Sequence, residues 1–287
     1  MISGHPRYLD ITQNLYMHWN NLYDNVDFDF FVSTWYDDTD YSDWDWIRKW
    51  ERLYEHECPY DLDQHPSGHH QPHYAYGIKR VNDLRNSVDE EYDAVLQIRP
   101  DCLVPKKLID SWVSQINNLR GDWDTRVNTQ ITPRNIFTPS GTSMHSVYLS
   151  NHKKWVYNYW TMDDWFFGHP KVMDKFSNMF DYIWIDKKYS DNTLMHIFPA
   201  EYLHQIGIHN MSLNSMNVLY IRESDRFDSH DTITLDSNGN KIYQGGWEKV
   251  HPSSRQLTET IEEFGVEWIF DMNNWAELKN NFRDKPK

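Results

Sequence analysis

Residues 94–104 constrain the chain more than any other stretch. Ala94, Val95, Leu96 and Ile98 form a short apolar run of the kind that makes a buried strand, and Arg99, Pro100 and Asp101 follow it directly. Pro100 has no backbone donor, so it belongs at a strand end or on an edge. A buried strand that finishes this way delivers an arginine and a carboxylate to the rim of a sheet. In open α/β sheets, ligands bind at the rim formed by the carboxyl ends of the strands. An Arg–Asp pair that only solvates a strand end would have the same sequence, so the rest of the chain must decide.

The remaining pattern supplies the partners such a sheet needs. Ile2–Gly4 reads as the tail of a first strand with a turn at Gly4–Arg7, and residues 8–23 place Leu9, Ile11, Leu15, Trp19 and Leu22 at roughly helical spacing. Phe28–Val32 reads as a second buried strand closing at Ser33–Trp35. Residues 36–46 are acidic and aromatic, Ile47–Tyr54 suggest a helical turn or two, and residues 55–73, rich in Pro and His, read as a loop. Helices are expected over Tyr74–Ser87 and Lys106–Leu119, on either side of the 94–98 strand. That alternation is the signature of βαβ units and a mostly parallel sheet. After a polar loop, Trp155–Trp160 and Asp164–Phe167 are strand-like, and Pro170 opens a helix through Phe180, Pro being favoured in the first helical turn. Glu201–Ile206 reads as a helix and Val218–Arg222 as a strand. Ser237–Asn240 is a hairpin turn between Thr232–Leu235 and Lys241–Tyr243, and residues 256–264 and 274–282 are expected helices. The expected fold class is therefore α/β, with a mostly parallel sheet flanked by helices over residues 1–222 and an irregular C-terminal extension over 223–287.

Composition narrows the function. The chain has 287 residues with 14 Trp and 18 Tyr, an aromatic load that fits a packed core rather than disorder. Its formal net charge of −15 disfavours a nucleic-acid-binding surface, which needs a basic stripe. A small anion could still bind through local Arg side chains, backbone N–H groups or a metal. No apolar run reaches the roughly 18 residues of a membrane span. The opening residues contain no apolar signal segment, so a cytoplasmic location is expected. Cys58 and Cys102 are the only cysteines, too few for a disulfide framework or a cysteine zinc site.

Several motifs suggest chemistry. Five Asp-x-Asp pairs occur, Asp27/Asp29, Asp38/Asp40, Asp43/Asp45, Asp61/Asp63 and Asp122/Asp124, and such pairs can hold Mg²⁺ or Mn²⁺ against a diphosphate. In so acidic a chain most are solvated loop carboxylates, and Asp38/Asp40 is best placed because it follows a strand. His65, His69, His70 and His73 crowd together, but Pro66, Gly68 and Pro72 break the regular backbone that fixes ligand spacing, so this segment reads as a polar loop. No nucleophile elbow, P-loop or Gly-x-Gly-x-x-Gly is present. Asp163 and Asp164 stand just before the aromatic run Trp165–Phe167, where a carboxylate can act as a general base or merely cap a strand.

Four of these segments, in order, resemble the GT-A-type glycosyltransferase-like families of bacteria, viruses and phages that modify surface polysaccharides. Residues 2–7 resemble the hydrophobic-Ser-Gly-x-x-Arg opening of the first strand, and Asp29–Trp35 resembles a second strand closing in Thr-Trp. Tyr92–Asp101 resembles the Tyr-Asp-x-Val-x-x-x-Arg-x-Asp strand, and Asp163–Gly168 the acceptor-side Asp-x-x-Phe-x-Gly, with Glu201 matching a Glu that commonly follows. The likeness covers residues 1–222. It implies transfer of a sugar from a nucleotide-diphosphate sugar to a saccharide acceptor. Ser3, Gly4, Arg7, Trp35, Arg99 and Asp101 would lie at the donor, and Asp101 would be the ligand of a divalent cation, Mn²⁺ or Mg²⁺. Asp163 would be the base on the acceptor hydroxyl, with Asp164 and then Glu201 as the next candidates. Arg99 stands where other GT-A enzymes carry the first Asp of their metal-binding pair. A guanidinium neutralises diphosphate directly through a bidentate fork, so the same site can work with or without the cation. A non-catalytic carbohydrate-binding protein on the same fold is the alternative reading.

Overall fold

The fold is that of a computed structural model, which describes residues 1–6, 8–36, 43–60, 71–119, 131–139, 143–149, 154–161, 164–186, 198–213, 218–221, 226–235, 241–251, 254–271 and 274. In chain order the elements are β1 (Ile2–Gly4), α1 (Leu9–Trp19), β2 (Phe30–Trp35), β3 (Ile47–Leu53), α2 (Gln71–Asn86), β4 (Val95–Ile98), β5 (Cys102–Leu103), α3 (Lys106–Leu119), β6 (Asn135–Thr138) and β7 (Ser143–Leu149). They continue with β8 (Lys154–Trp160), β9 (Trp165–Gly168), α4 (Pro170–Ser177), α5 (Phe198–Gln205), β10 (His209–Ser212), β11 (Leu219–Tyr220), β12 (Arg226–Leu235), β13 (Lys241–His251), α6 (Ser254–Phe264) and α7 (Val266–Phe270). A short 3₁₀ turn at Glu55–Glu57 and a π-helical turn at Asp181–Ile185 complete them.

The chain divides into two compact units. The first holds Met1–Arg7, Asn20–Pro100 and Asp110–Asn217; the second holds Tyr8–Trp19, Asp101–Ile109 and Val218–Lys287. The first unit is built on a seven-stranded sheet in the order β10-β6-β9-β4-β1-β2-β3. Strands β1, β2, β3 and β4 are mutually parallel, β9 runs antiparallel between β4 and β6, and β10 is parallel to β6. This is a Rossmann-like α/β fold with a mostly parallel mixed sheet.

Strands buried on both faces read as continuous apolar runs, and β2 and β9 are buried at every position. On one face Phe31, Trp35, Leu53, Val95, Ile136 and Phe166 pack with Ala75, Ile78 and Val81 of α2 and Val172, Met173 and Phe176 of α4. On the other, Trp112 of α3 meets Trp165 edge-on at 5.3 Å and lies 6.2 Å from Phe167. A polar clamp ties α2 to α4. Asp174 accepts from Asn82 at 3.0 Å, from Asn86 at 2.8 Å and from the buried guanidinium of Arg85. Burial pulls the Arg85 pKa below its ordinary value, and Asp174 opposes that pull.

In the second unit α1 packs with α6 and α7, and β5 pairs antiparallel with β11. Tyr16 meets Trp19 edge-on at 5.3 Å, and its hydroxyl donates to the Cys102 carbonyl at 3.5 Å. Burial raises the Tyr16 pKa well above the ordinary phenol value. Strands β12 and β13 form a long antiparallel hairpin.

Two expectations are corrected. Ile47–Tyr54 is not helical: Ile47–Leu53 is the edge strand β3, parallel to β2, and its charged residues hid the strand alternation. The stretch taken as a polar loop after Leu119 contains strands β6 and β7. The expected turn at 237–240 and most of the helix at 274–282 lie outside the described residues. No described helix is long and apolar enough to cross a membrane.

His169 caps α4. Its Nδ1 accepts from the Lys171 amide at 3.1 Å, a bond only the neutral ring makes through that nitrogen. Burial first, then Lys171, lowers its pKa below 6.5. The unfolded chain therefore binds the proton more readily, and the cap's contribution is complete above the unfolded value of 6.5 and lost as pH falls through the folded one. We expect about 1 kcal/mol of pH-dependent stability from this residue. His169→Asp, a strong N-cap without the imidazole titration, should remove that imidazole-linked component in urea melts between pH 7 and 5.

Candidate functional site

The strand order reverses direction between β1 and β4. From β1 the chain moves outward to β2 and β3, then returns to place β4 on the other side of β1. Ligands of open α/β sheets bind in the crevice outside the carboxyl ends of the strands at such a switch point. Gly4 closes β1 there, and Arg99 follows the last residue of β4.

Gly4 has φ +135°, a conformation that L side chains rarely adopt, and a Cβ built on it would lie 3.4 Å from Cδ of Pro100. The glycine thus lets the β1 and β4 ends close up and leaves backbone, not side chain, facing the rim. Below it, Ser3 is fully buried and accepts from Nε2 of Gln97 at 2.7 Å. Gln97 also donates to the Ile98 carbonyl at 3.2 Å, while its own Oε1 is buried with no hydrogen-bond partner. Helix α2 packs on Ser3 at position 77, where a Cβ would make an ordinary 3.6 Å contact with the Ser3 Cβ.

The antiparallel β9 brings a distant segment to the same rim. Ile98 pairs with Trp165 at the end of the β4–β9 ladder, so one step further Arg99 and Asp164 stand at the same level. Asp164 is 2% exposed and Arg99 is half-buried. Thr161, three residues before Asp164, is held by a hydrogen-bonded ring. The Thr138 hydroxyl donates to Oδ1 of Asn210 at 2.9 Å, and Nδ2 of Asn210 donates to Oγ1 of Thr161 at 2.9 Å. The two hydroxyls lie 3.0 Å apart, and because Thr138 has spent its proton, Thr161 donates to it. Thr138 ends β6 and Asn210 lies in β10, so the ring joins both strands to the segment carrying Asp164.

Trp35 ends β2 and is 8% exposed, edge-on to the His73 ring at 4.3 Å, with its Nε1 buried and unpartnered. Glu201 lies in the first turn of α5, which packs on β10, and is half-buried. Asp101 is 9% exposed and opens the second unit, where its carbonyl accepts from the Ile221 amide at 2.9 Å. Arg7, Asp163, the pairs Asp38/Asp40, Asp61/Asp63 and Asp122/Asp124, and His65, His69 and His70 lie outside the described residues. The sheet therefore brings Ser3, Gly4, Trp35, Arg99 and Asp164 to one rim. Nothing in the sequence pointed to Gln97, Thr138, Thr161 or Asn210; each is a single polar residue in or beside an element, without a spacing motif.

Among the described residues, no group of three or more His, Cys, Asp or Glu side chains is placed to hold a metal ion.

No family model matches the chain, and no curated protein matches it. Among solved structures it is similar to the 2-C-methyl-D-erythritol 4-phosphate cytidylyltransferase of Francisella tularensis, with 12% sequence identity and a TM-score of 0.35 over 74% of this chain and 88% of that one. A likeness at that level leaves the fold and the site to be argued from this chain's own strand order and residues.

Gly4→Ala tests the β1 end. The methyl would force a disfavoured φ beside the Pro100 ring, and we expect a loss of about 1–3 kcal/mol, read as a lower urea midpoint at unchanged slope. Gly77→Ala is the contrast. Its Cβ meets only ordinary contacts and gains up to about 1 kcal/mol of helix propensity, so stability should hold or rise.

Proposed function

We propose that this chain transfers a sugar from a nucleotide-diphosphate sugar to a saccharide acceptor. The observation that supports it most is the meeting of Gly4, Arg99 and Asp164, residues far apart in sequence, at the switch point of a Rossmann-like sheet. Together they offer what such a transfer needs: open backbone, a cation for the diphosphate, and a carboxylate on the neighbouring strand.

In this reading the donor diphosphate lies over the β1 and β4 ends. Arg99 takes its oxygens through charge-assisted hydrogen bonds, with Arg7 as a second cation. A carboxylate of the Asp163–Asp164 pair, Asp163 first, removes the proton from the acceptor hydroxyl. The oxygen attacks the anomeric carbon, the bond from that carbon to the phosphate oxygen breaks, and the diphosphate departs with the bonding pair. Charge grows on the leaving group, so Arg99 binds the transition state more tightly than the ground state. A divalent cation bound with the donor would add further neutralisation of the diphosphate. The Thr138–Thr161–Asn210 ring holds the segment that carries the base. Glu201 is the next candidate for that role.

Donor binding is tested by thermal shift with UDP-, GDP-, CDP- and dTDP-sugars, with and without Mn²⁺. A ligand at a hundredfold excess over Kd adds about 2.7 kcal/mol to stability. The absence of any shift across the panel argues against a donor site, and saccharide binding without nucleotide binding would mark a carbohydrate-binding protein instead. Arg99→Ala should weaken nucleotide binding about tenfold or more, since a charged hydrogen bond contributes about 1.5–3 kcal/mol.

The base is tested with Asp163→Asn, Asp164→Asn and Glu201→Gln. The variant that removes it should lose on the order of 10²–10⁴ in kcat with donor KM little changed. Wild-type kcat in all three variants would exclude general-base catalysis by these groups.

A further inference from the structure

The junction of α6 and α7 in the second unit holds two large aromatic rings partly in water. Helix α6 ends at Phe264, where the Gly265 amide donates to the Ile261 carbonyl at 2.9 Å, and α7 begins at Val266. Gly265 makes the break possible: its φ of +83° is left-handed, and a Cβ there would meet nothing within 4 Å. Helix α6 buries Leu257, and α7 buries Ile269 and Phe270, with His18 of α1 stacked on Phe270 at 5.4 Å. Phe264 lies seven residues after Leu257, so it continues the buried stripe of α6. Yet Phe264 is 52% exposed. Across the break it stacks on the half-buried Trp268 at 5.1 Å with an interplanar angle of 22°. The apolar stripe of α6 thus runs out past its own core.

The charge around this pair selects what can cover it. Glu262, Glu263 and Glu267 are all exposed beside the two rings in sequence. Residues 254–271 contain one arginine against five carboxylates and no lysine, and Arg255 pairs with Glu259 at 3.5 Å. Glu267 lies 4.0 Å from Nε2 of His18. An aromatic face carries negative charge density, so rings and carboxylates attract the same kind of group, a cation. A guanidinium answers both: its plane lies flat on a ring while its N–H groups reach carboxylates. Nucleic acid and an anionic membrane surface are repelled. A second copy meeting this one about a two-fold axis would set one acidic rim against the other.

We propose that the α6–α7 junction is a docking surface for an arginine-bearing basic segment of a partner protein, with a guanidinium against the Phe264–Trp268 pair and bonded to the neighbouring glutamates. The chain's formal net charge of −15 draws such a segment in from a distance, and the aromatic pair decides where it stays. The inference is independent of the transfer reading, since every residue it uses lies in the second unit.

The test is fluorescence anisotropy of the full chain with a labelled peptide of Arg-Gly repeats. The same peptide built with lysine keeps the charge, and with citrulline keeps the shape without the charge. Wild type should bind the arginine peptide most tightly and the citrulline peptide least, with affinity falling as ionic strength rises from about 0.05 to 0.5 M. Phe264→Ala/Trp268→Ala should bind the arginine peptide about 3- to 30-fold more weakly. Phe264→Tyr/Trp268→Phe, which keeps both rings, should restore binding, and circular dichroism checks that each variant folds. Glu262→Gln/Glu263→Gln/Glu267→Gln should weaken binding at low salt and flatten its salt dependence. Glu55→Gln/Asp89→Asn/Glu91→Gln removes three exposed carboxylates of the first unit and should stay within about twofold of wild type. A wild-type chain that does not bind the arginine peptide overturns the proposal. So does affinity that survives in Phe264→Ala/Trp268→Ala, and so does an equal loss in the first-unit variant, which would mark attraction to net charge alone. Sedimentation that shows a dimer lost in Phe264→Ala/Trp268→Ala gives the surface to a second copy and overturns it as well.

Discussion

The rim depends on the two-sided pairing of a very short strand. β1 has only three residues, and Ile2 is paired with Val32 on one side and Ile98 on the other. A three-residue strand could not hold a register alone. It is fixed because both neighbours are parallel, buried and longer, and because Gln97 reaches across to Ser3 inside the sheet. Through this pairing the end of β1 fixes the level of β2 and β4, and β4 in turn sets β9. Gly4, Thr34, Arg99 and Asp164 share a rim because of that chain of registers.

Legibility in the sequence followed burial. The segments at 30–35, 95–98 and 165–168 could be read because strands covered on both faces need mostly apolar runs. β3 could not. As an edge strand it carries Arg48, Lys49, Glu51 and Arg52, charges that edge strands favour because they resist further pairing, and they break the alternation that marks a strand. β10, at the opposite edge, is four residues long and polar, with its first and last residues exposed. Gln97 fails in the reverse sense: a polar residue in an apolar run suggests an exposed position, yet it is fully buried and bonded to Ser3.

Candidate residues of the rim were legible where a charge ended an apolar strand, and illegible where they depend on pairing across the fold. Arg99 and Asp164 stand next to buried runs, so each could be placed at a strand end. Their shared level follows from the antiparallel insertion of β9, which no local pattern encodes. The Thr138–Thr161–Asn210 ring joins residues 72 positions apart through one hydrogen bond and 49 through another. Threonine and asparagine at those positions look like ordinary ends of strands and loops.

For the proposed transfer, the chain's charge decides what the rim must supply. With a formal net charge of −15, the chain as a whole repels a diphosphate. That repulsion is long-ranged and is screened over about 8 Å at physiological ionic strength. Contacts at the binding distance are screened far less, so a few local groups decide whether an anion stays. In the proposed transfer, Arg99 at the β4 end and the backbone at Gly4 would act at that short range. A second carboxylate in place of Arg99 would add to the net charge and make a bound metal the main source of positive potential. The guanidinium builds that potential into the strand end itself, at the level of the buried Asp164 on the neighbouring strand.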